Sequence, residues 1–291
     1  MKPAAFDYAI PDTLDAALAL KAQHGDEAKF LAGGQSLIPA MNFRLALASL
    51  LVDVNGLAEL NYIHRGGDGE LRIGALTRHR QLERDPLVKQ YAPLIHEAMP
   101  HVAHPQIRNR GTMGGSLAHA DPAAELPVLT VALRARFKAQ SVRGERWIAC
   151  DDFFHTLFTT DLASDEMLTE VALPPLPPRT GTAFVEFSRR RGDYALMGVA
   201  AVVTVGENGA CRQARLVYLN AGEGPVNARK AAGVLQGQTP SPKLIDEAAA
   251  VAADSEIEPM GSVHASPAYQ RHLAKVLTRR ALKQAFERAH T

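Results

Sequence analysis

Apolar and polar positions alternate with different periods along the chain, and the periods divide it into stretches. "TLDAALALKAQHG" spaces apolar residues for a helix, with Thr13 or Asp12 as its cap and Gly25 as its stop. "EAKFLAGGQS" reads as a short strand running into a loop, and "LLVDVNG" as a buried strand closed by a turn. "GELRIGALTRH" predicts another strand, with Gly67 to Gly69 on its hairpin side. "TRHRQLERDPLVKQYAPLIHEAMPHVA" is mostly helical and broken near Pro86 and Pro93, because proline removes a helix amide. A glycine-rich loop then leads into a helix around "AAELPVLTVAL", followed by a strand. "SVRGERWIACDDFF" reads as strand and turn, and "EMLTEVALP" as a strand stopped by prolines.

Pro174 to Pro178, "PPLPP", predicts a linker. Beyond it, "GTAFVEFSRR", "ALMGVAAVVTVGENG" and "ACRQARLVYLNAGEGP" predict three successive strands, with "ENG" as a hairpin turn. "SPKLIDEAAAVAADSE" and "SPAYQRHLAKVLTRRALKQAFERAH" predict helices. The expected C-terminal third is a small antiparallel sheet packed on helices. No internal repeat or low-complexity segment interrupts the pattern.

Composition narrows the class. A chain of 291 residues has room for two domains and a full core without staples. A net charge of +1 leaves no electrostatic footprint for nucleic acid or an anionic membrane. Cys150 and Cys211 lack any metal spacing, so the expectation is no iron–sulfur cluster on this chain and no disulfide scaffold. The start lacks a signal-peptide pattern, and no stretch reaches the roughly 18 apolar residues of a membrane span. These features predict a soluble cytoplasmic protein.

Candidate chemistry concentrates in two loops with adjacent glycines followed by Ser-Leu: Gly33-Gly34-Gln35-Ser36-Leu37 and Gly114-Gly115-Ser116-Leu117. Glycine allows positive φ and close backbone approach, so successive N–H groups can converge on an anion. Hydroxyls of Ser36, Thr112 and Ser116 add donors. Each hydrogen bond to a charged acceptor contributes about 1.5–3 kcal/mol, so four would hold a phosphate pair without Lys or Arg in the loop. Neither loop matches a Walker or GxGxxG pattern, which disfavours a P-loop or Rossmann site. Gly-Gly loops also serve as plain turns, and spacing alone leads no further than an anion site.

"FLAGGQSLIPAMNFR", "IRNRGTMGGSLAHADPAAELP" and "FSRRRGDYALMGVAA", in that order, resemble the FAD-binding medium subunit of the molybdenum hydroxylases. That family includes aerobic carbon monoxide dehydrogenase and the flavin segment of xanthine dehydrogenase. The resemblance covers nearly the whole chain. It implies an α+β protein with an FAD-binding domain of the vanillyl-alcohol-oxidase (PCMH) type over residues 1–176. That domain would contain two α/β subdomains, about 1–56 and 57–176, followed by an α+β domain over 177–291. FAD would lie extended between the subdomains.

The resemblance implies that Ala32, Gly33, Gly34, Gln35 and Ser36 wrap the pyrophosphate, with Lys29 and Leu31 beside it and Leu37 following. Thr112, Met113, Gly114, Gly115 and Ser116 would form the second cradle. Glu125, and with it Asp121, matches a position bonding sugar or ribityl hydroxyls. Val102, Ala103 and Ile107 match the cofactor channel, Leu168 an apolar position on the adenine side, and Tyr194 the residue at the isoalloxazine ring.

Structural roles compete with several of these. Tyr194 precedes a strand and suits ordinary packing, while Asp121 and Glu125 suit a helix N-terminus. His101, His104 and His119 fit no usual zinc spacing, so no metal site is assigned. "RNR" at Arg108 to Arg110 and "RRR" at Arg189 to Arg191 suit either solvated charge or interface ion pairs.

The implied function is electron transfer. A large molybdenum-cofactor subunit oxidises a substrate, a small subunit with [2Fe-2S] clusters relays electrons to FAD on this chain, and an external acceptor such as a quinone or NAD receives them. No catalytic acid, base or nucleophile is assigned here. The implied assembly is a dimer of heterotrimers. Two alternatives stay open: a self-sufficient flavoprotein oxidase or dehydrogenase, and a non-catalytic scaffold. The substrate (carbon monoxide, an aldehyde, a purine or another N-heterocycle) is not fixed. Gln35 stands where the family's carbon monoxide enzymes often carry His, which argues against carbon monoxide.

Overall fold

The computed structural model describes residues 1–290. The first unit alternates strand and helix: β1 (Asp7–Ala9), α1 (Leu14–His24), β2 (Ala28–Leu31), α2 (Leu37–Asn42) and β3 (Leu50–Asp53). Its strands form a parallel sheet in the order β1-β3-β2. Thr13 caps α1, its hydroxyl accepting the Ala16 N–H at 3.2 Å, and Gly25 ends the helix at φ +51°. Ala17 and Leu18 of α1 then pack with Ala28 and Val52 in one core.

The second unit holds an antiparallel sheet. Its elements are β4 (Ile63–Arg65), β5 (Leu71–Gly74), α3 (His79–Leu82), α4 (Pro86–Tyr91), α5 (Pro93–Ala98), α6 (Pro105–Arg108), α7 (Met113–His119), α8 (Glu125–Ala132), β6 (Arg136–Ser141), β7 (Gly144–Ala149), α9 (Cys150–Phe153) and β8 (Met167–Leu173). The strand order is β4-β5-β8-β6-β7. Pro86 and Pro93 each open a helix instead of sitting inside one, so the predicted long helical stretch divides into short pieces. The four residues of α9 replace the turn expected after "RWIA".

The third unit contains β9 (Thr180–Ser188), β10 (Ala195–Val205), β11 (Cys211–Leu219), β12 (Val226–Asn227), α10 (Arg229–Leu235), α11 (Pro242–Ser255) and α12 (Pro267–Ala289). Its antiparallel sheet has the order β12-β11-β10-β9 and is covered on both faces. Val199, Ala201 and Val203 face α12 and its neighbours, while Ala200 and Val202 face α8 and the second unit. This two-sided burial explains why "ALMGVAAVVTV" is apolar throughout instead of alternating. The sequence pattern showed neither α10 nor the two-residue β12. No helix among the described residues is long and apolar enough to cross a membrane.

Close packing of α12 on β9 depends on Gly181, where an added Cβ would lie 1.9 Å from the Ala285 carbonyl oxygen. Gly181→Ala is expected to cost about 1–3 kcal/mol in urea unfolding, whereas Gly233→Ala, on an open face of α10, costs nothing or stabilises by up to about 1 kcal/mol. Equal effects at the two sites would show that this packing does not constrain the fold.

Candidate functional site

The two glycine loops touch. Gly33 follows β2 and is buried; an added Cβ there would lie 2.5 Å from the Arg110 carbonyl oxygen and 2.8 Å from the Gly111 Cα. A Cβ on Gly115 would lie 3.9 Å from that of Ala32. Gly34 holds φ +70°, the left-handed region that disfavours side chains.

Their hydrogen bonding differs. In the first loop the N–H groups of Gly33, Gly34, Gln35 and Ser36 have no acceptor among the described residues. The Gln35 amide folds back and donates to the Gly33 carbonyl at 2.9 Å, and the Ser36 hydroxyl makes no capping bond. The second loop's amides are engaged. Met113 N–H donates to Thr77 O at 2.9 Å and Gly114 N–H to Ala75 O at 2.8 Å. Gly115 N–H donates to the Thr112 hydroxyl at 3.1 Å and Ser116 N–H to Thr112 O at 3.1 Å. The expectation of converging N–H donors in both loops is therefore corrected for the second. Its glycines serve close packing: a Cβ on Gly114 would lie 2.5 Å from that of Ala75. What it presents outward is the surface of Gly115 and the partly exposed Ser116.

The other anticipated residues lie behind or beside these loops. Met113 and Leu168 are core side chains in one cluster with Val102. Thr169, next to Leu168, accepts the N–H of Ala75, the residue packed on Gly114. Lys29 and Leu31 are half-buried on β2, and Leu31 packs beside Leu37 against Met41 and Leu51. Ile107 accepts the Gly111 N–H at 2.7 Å. Ala103 holds φ +44°, and Arg108 donates to the carbonyls of Val102 and Ala103 at 2.9 and 3.1 Å. Arg108 is itself buried against Glu83, so this part of "RNR" is structural.

Asp121, Glu125 and Tyr194 form one electrostatic neighbourhood. Glu125 opens α8 and is buried; burial pushes its carboxyl up to about 8, with repulsion from Glu186 and Asp121 adding to the shift. Tyr194 is 69% exposed, and its phenol is raised first by lost hydration and then by the charges of Asp121 and Glu125. The loop carrying Tyr194 is pressed against Ala103 and His104, because a Cβ on Gly192 would lie 2.3 Å from the His104 ring.

Four residues of this region were missed. Glu186 sits on β9 beside His101, whose Nδ1 is 3.3 Å from Glu186 Oε1, while Oε2 is buried with no partner. Its signal was a carboxylate in register with the inward-facing Phe184. His79 lies under the second loop; burial lowers its pKa to about 4, so the ring is neutral, with Nε2–H donating to Thr112 O at 3.0 Å. Asn55 and Arg78 bridge the loops, and nothing local in "DVNG" or "LTRH" marks that role. Among the described residues no group of three His, Cys, Asp or Glu side chains is arranged to hold a metal.

The arrangement suits a dinucleotide diphosphate. It offers a row of open amides, a wall that admits no Cβ, and a carboxyl group that burial keeps protonated. Comparison with known proteins shows the family. Residues 4–176 match the model described as FAD binding domain in molybdopterin dehydrogenase, and residues 182–285 the CO dehydrogenase flavoprotein C-terminal domain. The chain is 45% identical to the 6-hydroxypseudooxynicotine dehydrogenase complex subunit alpha of Paenarthrobacter nicotinovorans, over 99% of this chain and 97% of the relative. Its fold superposes on quinoline 2-oxidoreductase from Pseudomonas putida 86 with a TM-score of 0.94 and 36% identity, covering 100% of both chains. It also superposes on the carbon monoxide dehydrogenase of Hydrogenophaga pseudoflava that lacks the Mo-pyranopterin moiety, with a TM-score of 0.95 and 34% identity over 99% of both chains.

The buried carboxyl makes a pH prediction. Glu125 ionises near 4.5 when unfolded and near about 8 when folded, so between those values the folded state binds more protons. Its contribution is full below the unfolded value and is lost as pH rises through the folded one, at up to about 1.4 kcal/mol per pH unit. In urea unfolding of the FAD-free chain, Glu125→Gln is expected to match wild type near pH 4.5 and gain on it steadily toward pH 8. A gap that stays constant with pH would show that the folded carboxyl is ionised.

Proposed function

The chain belongs to the FAD-binding family of the molybdopterin dehydrogenases, and from that premise we propose that it is the flavin-carrying electron-transfer subunit of an oxidoreductase complex. The observation that carries the reading is the contact of Gly33 with the Arg110–Gly111 backbone, beside four N–H groups that have no acceptor among the described residues. FAD, when bound, would supply redox chemistry in which electrons are accepted singly or in pairs, suiting a relay between an iron–sulfur subunit and an external acceptor.

The chain's own residues bind and orient. Gly33, Gly34, Gln35 and Ser36 would donate N–H groups to the diphosphate, and the Ser36 and Ser116 hydroxyls would add donors. Glu125 and Asp121 would take sugar or ribityl hydroxyls, where a protonated Glu125 carboxyl can both donate and accept. In this reading Tyr194 would lie at the isoalloxazine ring, Val102, Ala103 and Ile107 would line the cofactor channel, and Leu168 would give apolar support on the adenine side.

The partners of this reading are a large molybdenum-cofactor subunit and a small iron–sulfur subunit, in a dimer of heterotrimers with a cytoplasmic location. The complex is assigned an N-heterocyclic substrate. Supporting this is the 45% identity to the 6-hydroxypseudooxynicotine dehydrogenase subunit, against 34% to the carbon monoxide dehydrogenase chain.

Purified chain titrated with FAD tests the reading. Wild type is expected to take up one flavin and to oxidise no alcohol, amine or heterocycle by itself. Gly33→Val, which wedges the loops apart, is expected to lower FAD affinity by roughly a hundredfold or more, equivalent to the loss of two charged-acceptor hydrogen bonds. Tyr194→Ala is expected to keep affinity within about threefold while shifting the flavin midpoint potential. Substrate turnover by the chain alone, or undiminished FAD affinity in Gly33→Val, would contradict the proposal.

A further inference from the structure

We propose that Asn55 and Arg78 are positioning residues: together they form a strut that sets the separation of the two glycine loops and thereby the grip on the cofactor. The inference rests on the cofactor site proposed above.

The geometry is continuous from one loop to the other. Asn55 donates its side-chain amide to Leu31 O at 3.2 Å and Ala32 O at 2.8 Å, the two carbonyls that lead into the first loop. Its Oδ1 accepts from Arg78 Nη2 at 2.6 Å. The other arm of the same guanidinium, Nη1, donates to the Arg110 carbonyl of the second loop. His79 continues the grip, its backbone N–H donating to Gly111 O at 2.9 Å and its Nε2 to Thr112 O at 3.0 Å. Three consecutive carbonyls of the second loop are thus held by two consecutive residues. At the other end, Asp53 Oδ1 accepts the Asn55 backbone N–H at 2.9 Å and its side-chain amide at 2.6 Å, while Tyr8 donates its hydroxyl to Asp53 Oδ2.

The strut acts through carbonyls, leaving the first loop's N–H groups free. It also spans the first and second units, whose loops are otherwise joined at this point by van der Waals contact between glycines. A rigid guanidinium fork can reach two acceptors at fixed spacing, which a lysine ammonium on a flexible stem does not reproduce. Arg78 therefore matters here for its shape more than for its charge.

The test uses the full chain as wild type, Asn55→Ala, Arg78→Gln, Arg78→Lys and the Asn55→Ala/Arg78→Gln double variant. FAD affinity and, in FAD-free protein, amide exchange are measured. Each single substitution is expected to weaken FAD roughly tenfold to a hundredfold, with Arg78→Lys as weak as Arg78→Gln. The double variant is expected to fall no more than about threefold below the weaker single, because the two residues act as one unit. Exchange gives a readout that needs no cofactor. Val54 and Ile38 N–H groups bond to Leu31 and Gly34 on the first loop's side, and His79 and Met113 N–H groups bond on the second's. Arg78→Gln is expected to speed exchange at Val54 and Ile38, and Asn55→Ala at His79 and Met113.

Additive losses, recovery of affinity by lysine, or exchange effects confined to the loop each residue touches would overturn the strut. If wild type binds FAD and the variants bind it equally, the strut alone fails. If wild type binds no FAD, the cofactor reading fails and the strut's role in cofactor binding falls with it.

Discussion

Gly33 lies flat against the backbone of Arg110 and Gly111, at a separation that excludes even a methyl group. The constraint is one of space, and it differs from the conformational requirement at the neighbouring Gly34, which lies at positive φ. Together they let a strand end in a turn whose N–H groups have no acceptor among the described residues, while the carbonyls of Leu31 and Ala32 that lead into it accept the Asn55 amide. Open donors at a loop's surface cost little when water reaches them, and they favour an anion when one is present.

The two loops differ in what they present. The first supplies donors; the second, its amides consumed by Ala75, Thr77 and Thr112, supplies a rigid wall. That wall is continuous with the large core of the second unit, since Met113 and Leu117 are buried among Leu71, Ile73 and Leu168. The same core extends onto the inner face of the third sheet through Phe184, Ala200 and Val217. Glu125 and Glu186 lie along this junction. Burial, with repulsion from Glu186 and Asp121 adding to it, keeps the Glu125 carboxyl protonated there. A cofactor held across this junction, as proposed, would borrow its rigidity from hydrophobic packing and its polarity from a few groups that packing has desolvated.

Much of the fold was legible because local signals and tertiary structure agree. Thr13 and Gly25 bound α1 as their chemistry suggests, and "ENG" closes the β10–β11 hairpin. The two glycine loops were visible as well. What escaped was long-range. Whether an N–H in the second loop is free depends on carbonyls of Ala75 and Thr77, which no pattern around Gly114 reveals. Asn55 looked like a turn residue and is one, with its backbone N–H bonded to Asp53, yet the same side chain reaches the carbonyls of Leu31 and Ala32. Short elements such as α9 and β12 form through contacts with neighbouring strands and carry too few residues for a period to show.

The central claim is that the chain's first glycine loop recognises a diphosphate. Displacement of bound FAD by its fragments measures this most directly. ADP is expected to compete with FAD, while riboflavin and adenosine, which carry no phosphate, are expected to compete far more weakly. Displacement by riboflavin as effective as that by ADP would place the recognition on the ring and contradict the claim.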